Sequence, residues 1–183
     1  MSCYCGSTIN FTHCCHPFHT GILIPETPEQ LMRSRYSAYA VKNAEYIYKT
    51  YANYKQKENT IIDILQWAEQ THWLKLNIND SSHTAIDNFN PQVLPTVIFD
   101  AYYLHQQQLY KMSECSRFVI EQNQWRYLDG NIFEHIKLNH PKRNDTCFCS
   151  SGKKFKKCCA KTIKPLMVLL QQSLVPNSTM HRH

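Results

Sequence analysis

The chain reads as an α+β protein. Three observations predict this: helical spacing of apolar residues early in the middle segment, period-two apolar stretches after it, and short polar breaks between those stretches. Helices followed by consecutive strands joined by tight turns give an antiparallel sheet with helices on one face. A small cysteine cluster stands at each end of this segment.

The helices come first. Glu26-Thr27-Pro28 has the form of a helix entry, with Thr27 as N-cap and Pro28 at the first helical position. Leu31, Tyr36, Tyr39 and Ala40 then recur at helical spacing, which predicts a helix over 28–42. Asn43 stops or caps, Ala44–Tyr51 restarts as a second helix, and Thr60 caps a third, Ile61–Glu69, with Ile61, Leu65 and Ala68 on one face. The strands follow. Trp73, Leu74, Leu76 and Ile78 fit the first, and Val93–Leu104, Tyr110–Glu121 and Trp125–Leu128 the next three. Asn79-Asp80-Ser81-Ser82 signals a turn. Gln106-Gln107-Gln108 and Gln122-Asn123-Gln124 are polar breaks of hairpin length, and Asp129-Gly130-Asn131 is expected to end the last strand. Residues 165–175 suit a short amphipathic helix, with a mobile tail after Pro176. The expected division is a cysteine module over 1–24, an α+β domain over 25–140, a second cysteine module over 141–164, and a helix and tail over 165–183.

The two cysteine modules share one pattern. Residues 3–15 read CYCGSTINFTHCC and residues 147–159 read CFCSSGKKFKKCC, each with eight residues between its cysteine pairs. Cys3, Cys5, Cys14 and Cys15 form one set, and Cys147, Cys149, Cys158 and Cys159 the other. The first twenty residues have no apolar run of a secretory signal, so a reducing, cytoplasmic setting is expected, where close cysteine pairs are metal ligands rather than bridges. Four thiolates close a tetrahedral Zn2+ site and leave no open position for catalysis, so two structural zinc ions are expected. An iron–sulfur cluster is the weaker rival. His13 and His16 flank Cys14 and Cys15, and either can replace a cysteine; Cys15 keeps the two modules in register. Phe11 and Phe155 hold equivalent places as the apolar plug of each module, and Cys115 reads as a small hydrophobe in a strand.

Charge is uneven. Each four-thiolate zinc site carries −2, which brings the formal +6 down to +2. Basic residues crowd the C-terminal end, among them Lys153, Lys154, Lys156 and Lys157 within the second module. That module is expected to bind an anionic partner, an acidic protein surface or RNA. No apolar run approaches the roughly 18 residues of a spanning helix.

The run Arg143-Asn144-Asp145 through Cys147, Cys149, Ser150-Ser151-Gly152 and on to Cys158 resembles the SEC-C motif, named for the C-terminal zinc site of the preprotein translocase motor SecA. Two such motifs around a middle segment carrying Leu31-Met32-Arg33-Ser34-Arg35-Tyr36, Trp73-Leu74, Ser116-Arg117-Phe118 and Trp125-Arg126-Tyr127-Leu128-Asp129-Gly130 resemble the YchJ family. The resemblance runs to about Ala160. It implies that the middle segment is a cystatin-like cone of the nuclear-transport-factor-two-like type, and it implies protein or ribosome contact for the SEC-C motif in the SecA case. It carries no established activity.

A cone of that kind forms a pocket between helices and concave sheet. Arg35, Tyr36, His72, Asp100, Arg117 and Asp129 are the candidate polar groups, and an Asp or His there can serve as general base. Each also has a structural role open to it. Arg35 and Arg117 can pair with Asp129 or Glu114, and Tyr36 and Tyr39 can be core. No Ser-His-Asp order, glycine-rich phosphate loop or HExxH motif is present. The leading expectation is therefore a zinc-binding interaction module rather than an enzyme. A small-molecule-binding protein or enzyme using the cone pocket is the alternative.

Overall fold

The computed structural model describes residues 2–81 and 93–173, and it divides into two compact units, Met1–Leu138 and Asn139–His183. In the first unit α1 (His16–His19) follows the N-terminal cysteines. Then come α2 (Pro28–Ala40), α3 (Ala44–Lys49), α4 (Asn53–Gln56) and α5 (Ile61–Gln70). The sheet is built from β1 (Thr71–Asp80), β2 (Thr96–His105), β3 (Gln108–Glu121) and β4 (Gln124–Leu138). In the second unit α6 (Ala160–Ser173) follows the second cysteine pattern. Among the described residues no helix is long and apolar enough to cross a membrane.

The helix starts follow local chemistry. The Thr27 hydroxyl accepts from the Gln30 backbone N–H at 3.1 Å, Asn43 Oδ1 from Tyr46 at 3.0 Å, and the Thr60 hydroxyl from Asp63 at 3.2 Å. Each satisfies one of the donors a helix leaves unpaired at its first turn. The buried stripe of α5 is Ile64 and Ala68, so of the expected face Ala68 is packed while Ile61 and Leu65 are exposed. α2 is buried on most of its circumference. Leu31, Met32 and Tyr36 join Leu76, Val97, Phe99, Ala101 and Phe118 in the core between helix and sheet. Ala38 packs with Ala44, Tyr46, Ile47, Tyr51 and Ile64 among the helices.

The sheet is an antiparallel meander in the order β1-β2-β3-β4. Two-residue turns close its last two hairpins. Gln106 and Gln107 have φ of 48° and 65°, and Gln122 and Asn123 have φ of 52° and 60°. Both central residues are left-handed, the form whose twist matches paired strands. Asp129-Gly130-Asn131 does not end β4. The strand continues to Leu138, with Asp129 opposite Arg117, Asn131 opposite Cys115 and Leu138 opposite Leu109. Pairing with β3 decides the matter, because the partner strand is long enough to satisfy the backbone on both sides of Gly130.

The N-terminal cysteine module does not stand apart from the α+β domain. The Arg33 guanidinium donates to the Cys5 carbonyl at 2.9 Å. His19 Nε2 donates to the Ser34 carbonyl at 2.9 Å. Cys3 Sγ lies 3.8 Å from the Ser37 hydroxyl, and Cys15 Sγ 3.8 Å from the Arg33 carbonyl. Burial lowers the His19 pKa, in keeping with a neutral ring packed against Tyr46. One flank of α2 thus faces the cysteines and another faces the sheet.

Candidate metal centres and the cone cavity

Each cysteine cluster is assembled by the same local turns. Cys3 N–H donates to the Ile9 carbonyl and Cys147 N–H to the Lys153 carbonyl, both at 2.8 Å. A 3-10 turn, Phe11–His13 in one and Phe155–Lys157 in the other, then sends the chain back. Its last carbonyl bond, from Cys14 to Phe11 at 3.1 Å and from Cys158 to Phe155 at 3.0 Å, aims the third sulfur inward. The Ser7 hydroxyl lies 3.2 Å from Cys14 Sγ, and the Ser151 hydroxyl 3.3 Å from Cys158 Sγ. Cys15 and Cys159 then lead into α1 and α6. Phe155 is buried as a plug, and Phe11 is half-buried against its cysteines.

The sulfurs fit a tetrahedral ion. The four Sγ atoms of each cluster lie within 4.8 Å of one another. Neighbouring pairs are 3.6 Å (Cys5–Cys14), 4.0 Å (Cys14–Cys15), 3.5 Å (Cys147–Cys149 and Cys149–Cys158) and 3.9 Å (Cys158–Cys159) apart. A tetrahedron with metal–sulfur bonds of about 2.3 Å has edges of about 3.8 Å. A disulfide would need about 2.05 Å, and none of the nine cysteines is in one. His13 and His16 lie outside the first cluster, both exposed, His16 edge-on to Phe11.

Thiol electrostatics fit the same ion. Hydrogen bonds from Cys15 and then Ser7 hold Cys5 down at about 4 against the opposing effect of burial. Burial pushes Cys14 up to about 11, and the bond to the Cys5 thiolate pushes Cys15 far up. In the second cluster burial raises Cys147 and Cys159. For Cys149 burial is outweighed by hydrogen bonds from Ser151 and Cys158, which bring it to about 7. One thiolate per cluster forms readily and suppresses its neighbours by like charge. A bound dication supplies the charge that lets all four ionise.

The basic residues of the second module point outward. Lys153, Lys154 and Lys157 are exposed and Lys156 is half-buried, while Phe155 between them is buried.

The cone cavity is a separate site. It encloses about 290 Å3 between α2, the chain around Tyr51 and the inner face of the sheet. Of the six polar residues expected there, Arg35 and Tyr36 line it. The others lie elsewhere. Arg117 and Asp129 form a two-armed ion pair at 2.7 and 2.6 Å. Asp100 accepts from the Ser113 hydroxyl at 2.5 Å and sits 3.5 Å from Lys111 Nζ. His72 lies on β1 opposite Leu104, its pKa lowered by burial. Two lining residues that sequence reasoning did not place in the pocket matter more. Glu114, at 8% exposure, is a buried acid whose Oε1 accepts from Ser116 at 2.6 Å and Tyr127 at 2.9 Å. Tyr127 also stacks on Arg35. The signal for Glu114 was its place in the alternation Met112, Glu114, Ser116, Phe118, an acid on an inward-facing row.

Comparison with known proteins agrees with this architecture. Residues 27–130 match the family described as YchJ, middle NTF2-like domain, and residues 143–161 match the SEC-C motif. A UPF0225 protein of Vibrio cholerae is 40% identical over 159 residues, spanning 87% of this chain and 99% of that one. A UPF0225 protein of Shewanella sp. (strain MR-4) is 38% identical over 167 residues, spanning 87% and 96%. The solution structure of a SEC-C motif containing protein from Rhodopseudomonas palustris superimposes with a TM-score of 0.63 at 28% identity, covering 73% of this chain and 100% of that one. The crystal structure of a SEC-C motif containing protein from Psychrobacter arcticus gives 0.59 at 26% identity, covering 88% and 96%. A cone domain with a cysteine cluster at each end, matched in sequence over most of its length, places this chain in the YchJ (UPF0225) family.

Proposed function

We propose that this chain is a zinc-binding interaction protein that holds two structural Zn2+ ions and uses its C-terminal module to bind an anionic macromolecule. The observation that carries the reading is the pair of closed four-sulfur clusters, each with edges of zinc-thiolate size. Four sulfurs leave no position for a substrate, so the ion serves structure. In the second module the cluster fixes the turn between Lys153 and Lys157, and the lysines around it face solvent. A turn held by metal presents those charges without the entropy cost of ordering a free tail. The partner is an acidic protein face or RNA.

Elemental analysis of protein made without added metal should return close to two zinc ions per chain; stoichiometric iron, or intact thiols with no metal, would overturn the zinc assignment. Capture of partners from a bacterial lysate, with and without ribonuclease, tests the second half. Binding should fall steeply as salt rises from low to high. It should also fall in Cys158→Ser, which keeps every lysine, and in a Lys153/Lys154/Lys156/Lys157→Ala variant. Equal capture by all three proteins at both salts would rule out the basic module as the binding surface.

A further inference from the structure

The cone cavity has features that the zinc and lysine chemistry does not use. At about 290 Å3 it stands at the lower end of the roughly 300–1,000 Å3 of small-molecule sites. Its walls are flat and aromatic, with Tyr39, Tyr51, Trp67, Trp73, Phe99 and Tyr127 among them. Into it project one cation and one anion. Arg35, at 3% exposure, is stacked between the Tyr51 and Tyr127 rings, its guanidinium carbon 4.3 and 4.5 Å from their centroids. Its hydrogen bonds, to the Ile47 carbonyl and the Thr50 hydroxyl at 2.7 Å, both leave from Nη1, so Nε and Nη2 keep their donors. Glu114 uses Oε1 for both of its bonds and keeps Oε2.

These features select for charge. An aromatic cage ordinarily suits a cation. Here Arg35 already occupies that place, so a second cation meets repulsion. An anion would meet Arg35 but also the Glu114 carboxylate on the same wall. The two buried charges balance, and a ligand that upsets the balance carries an uncompensated charge into an apolar site. We propose that the cavity binds a small, flat, net-neutral aromatic compound that presents a hydrogen-bond acceptor to Arg35 and a donor to Glu114. The mouth, where Trp67 and Ile132 are partly exposed, is its entry.

Three indoles of nearly one shape test this: indole-3-acetamide (neutral), indole-3-acetate (anionic) and tryptamine (cationic). Each is titrated into zinc-loaded, full-length protein labelled at the methionine methyls, and the Met32 and Met112 signals, both from the cavity wall, are followed. The amide should shift them at millimolar concentration or below, and the two charged probes should bind at least about tenfold more weakly. Glu114→Gln keeps the shape of the side chain and removes its charge; it should raise the affinity for indole-3-acetate relative to the amide by roughly tenfold. Ile132→Trp, at a half-exposed site on the mouth, should abolish the amide shifts in a protein whose core is untouched. Absence of any shift with the amide, equal binding of all three probes, or shifts that survive Ile132→Trp would overturn the proposal.

Discussion

With the clusters loaded as proposed, stripping the metal, or replacing Cys15 by Ser, will lower the melting temperature of the whole first unit by about 10 °C, a loss of about 3 kcal/mol. The sequence suggests a middle domain that folds without its ends, since residues of about 28–140 have their own apolar periodicities and need no cysteine. The structure fuses the first cluster to α2 through Cys3 and Ser37, Cys15 and the Arg33 carbonyl, Arg33 and the Cys5 carbonyl, and His19 and the Ser34 carbonyl. Losing the ion leaves buried thiols that repel or desolvate one another, and it loosens the flank of the helix on which the sheet packs. All three tryptophans, Trp67, Trp73 and Trp125, belong to the first unit, so indole fluorescence reports its melting alone. Cys159→Ser should leave that melting curve within about 1–2 °C of wild type while releasing one metal equivalent. An unmoved fluorescence transition in Cys15→Ser would show that the first cluster is only an appendage.

Gly130→Ala will destabilise the protein by about 2–4 kcal/mol. A methyl group at Gly130 would lie 2.0 Å from Glu114 Oε1, 2.4 Å from its Cδ and 2.8 Å from its Cγ. Glu114 cannot swing away freely, because it is buried and holds the hydroxyls of Ser116 and Tyr127. Moving it strands Ser116, which is fully buried. Chemical denaturation of the single variants and of Gly130→Ala/Glu114→Ala gives the decisive comparison. In the Glu114→Ala background the glycine replacement should cost less than about 0.5 kcal/mol, since its obstacle is gone. The same cost in both backgrounds would place the strain somewhere other than Glu114.

Gly130 also shows why part of the fold was hidden. Between Asp129 and Asn131 it has the composition of a turn, yet the glycine is there to clear a neighbouring side chain, and the strand runs on. Only the partner strand decides that, and a partner strand leaves no local mark. The helix starts were legible because a cap is local chemistry: Thr27, Asn43 and Thr60 act within three residues of themselves. The cysteine clusters were legible for the same reason, as spacing within thirteen residues sets each one. The docking of the first cluster was not, because one serine hydroxyl and several backbone carbonyls do most of it and no periodicity records them. In the cavity, Arg35 and Tyr36 were foreseen on α2. Asp100, Arg117 and Asp129 were grouped with them by residue type, and the pleat turns them to other partners.

The nearest-neighbour order of the sheet has a consequence for rates. Each strand meets the one just before it in the chain, so most pairing closes short loops early and at little entropic cost. The contacts of long reach are of another kind. The Trp125 indole N–H donates to the Glu26 carbonyl at 2.9 Å across 99 residues, and the Asn53 N–H to Glu121 Oε2 at 3.0 Å across 68. Because of their sequence separation, such ties are expected to form after the barrier is crossed. Trp125→Phe should therefore leave refolding nearly unchanged in stopped-flow measurements and speed unfolding by about fivefold, the equivalent of one hydrogen bond. The lifetime of the folded unit then rests on a few ties that join its ends late, and the meander sets how quickly it forms.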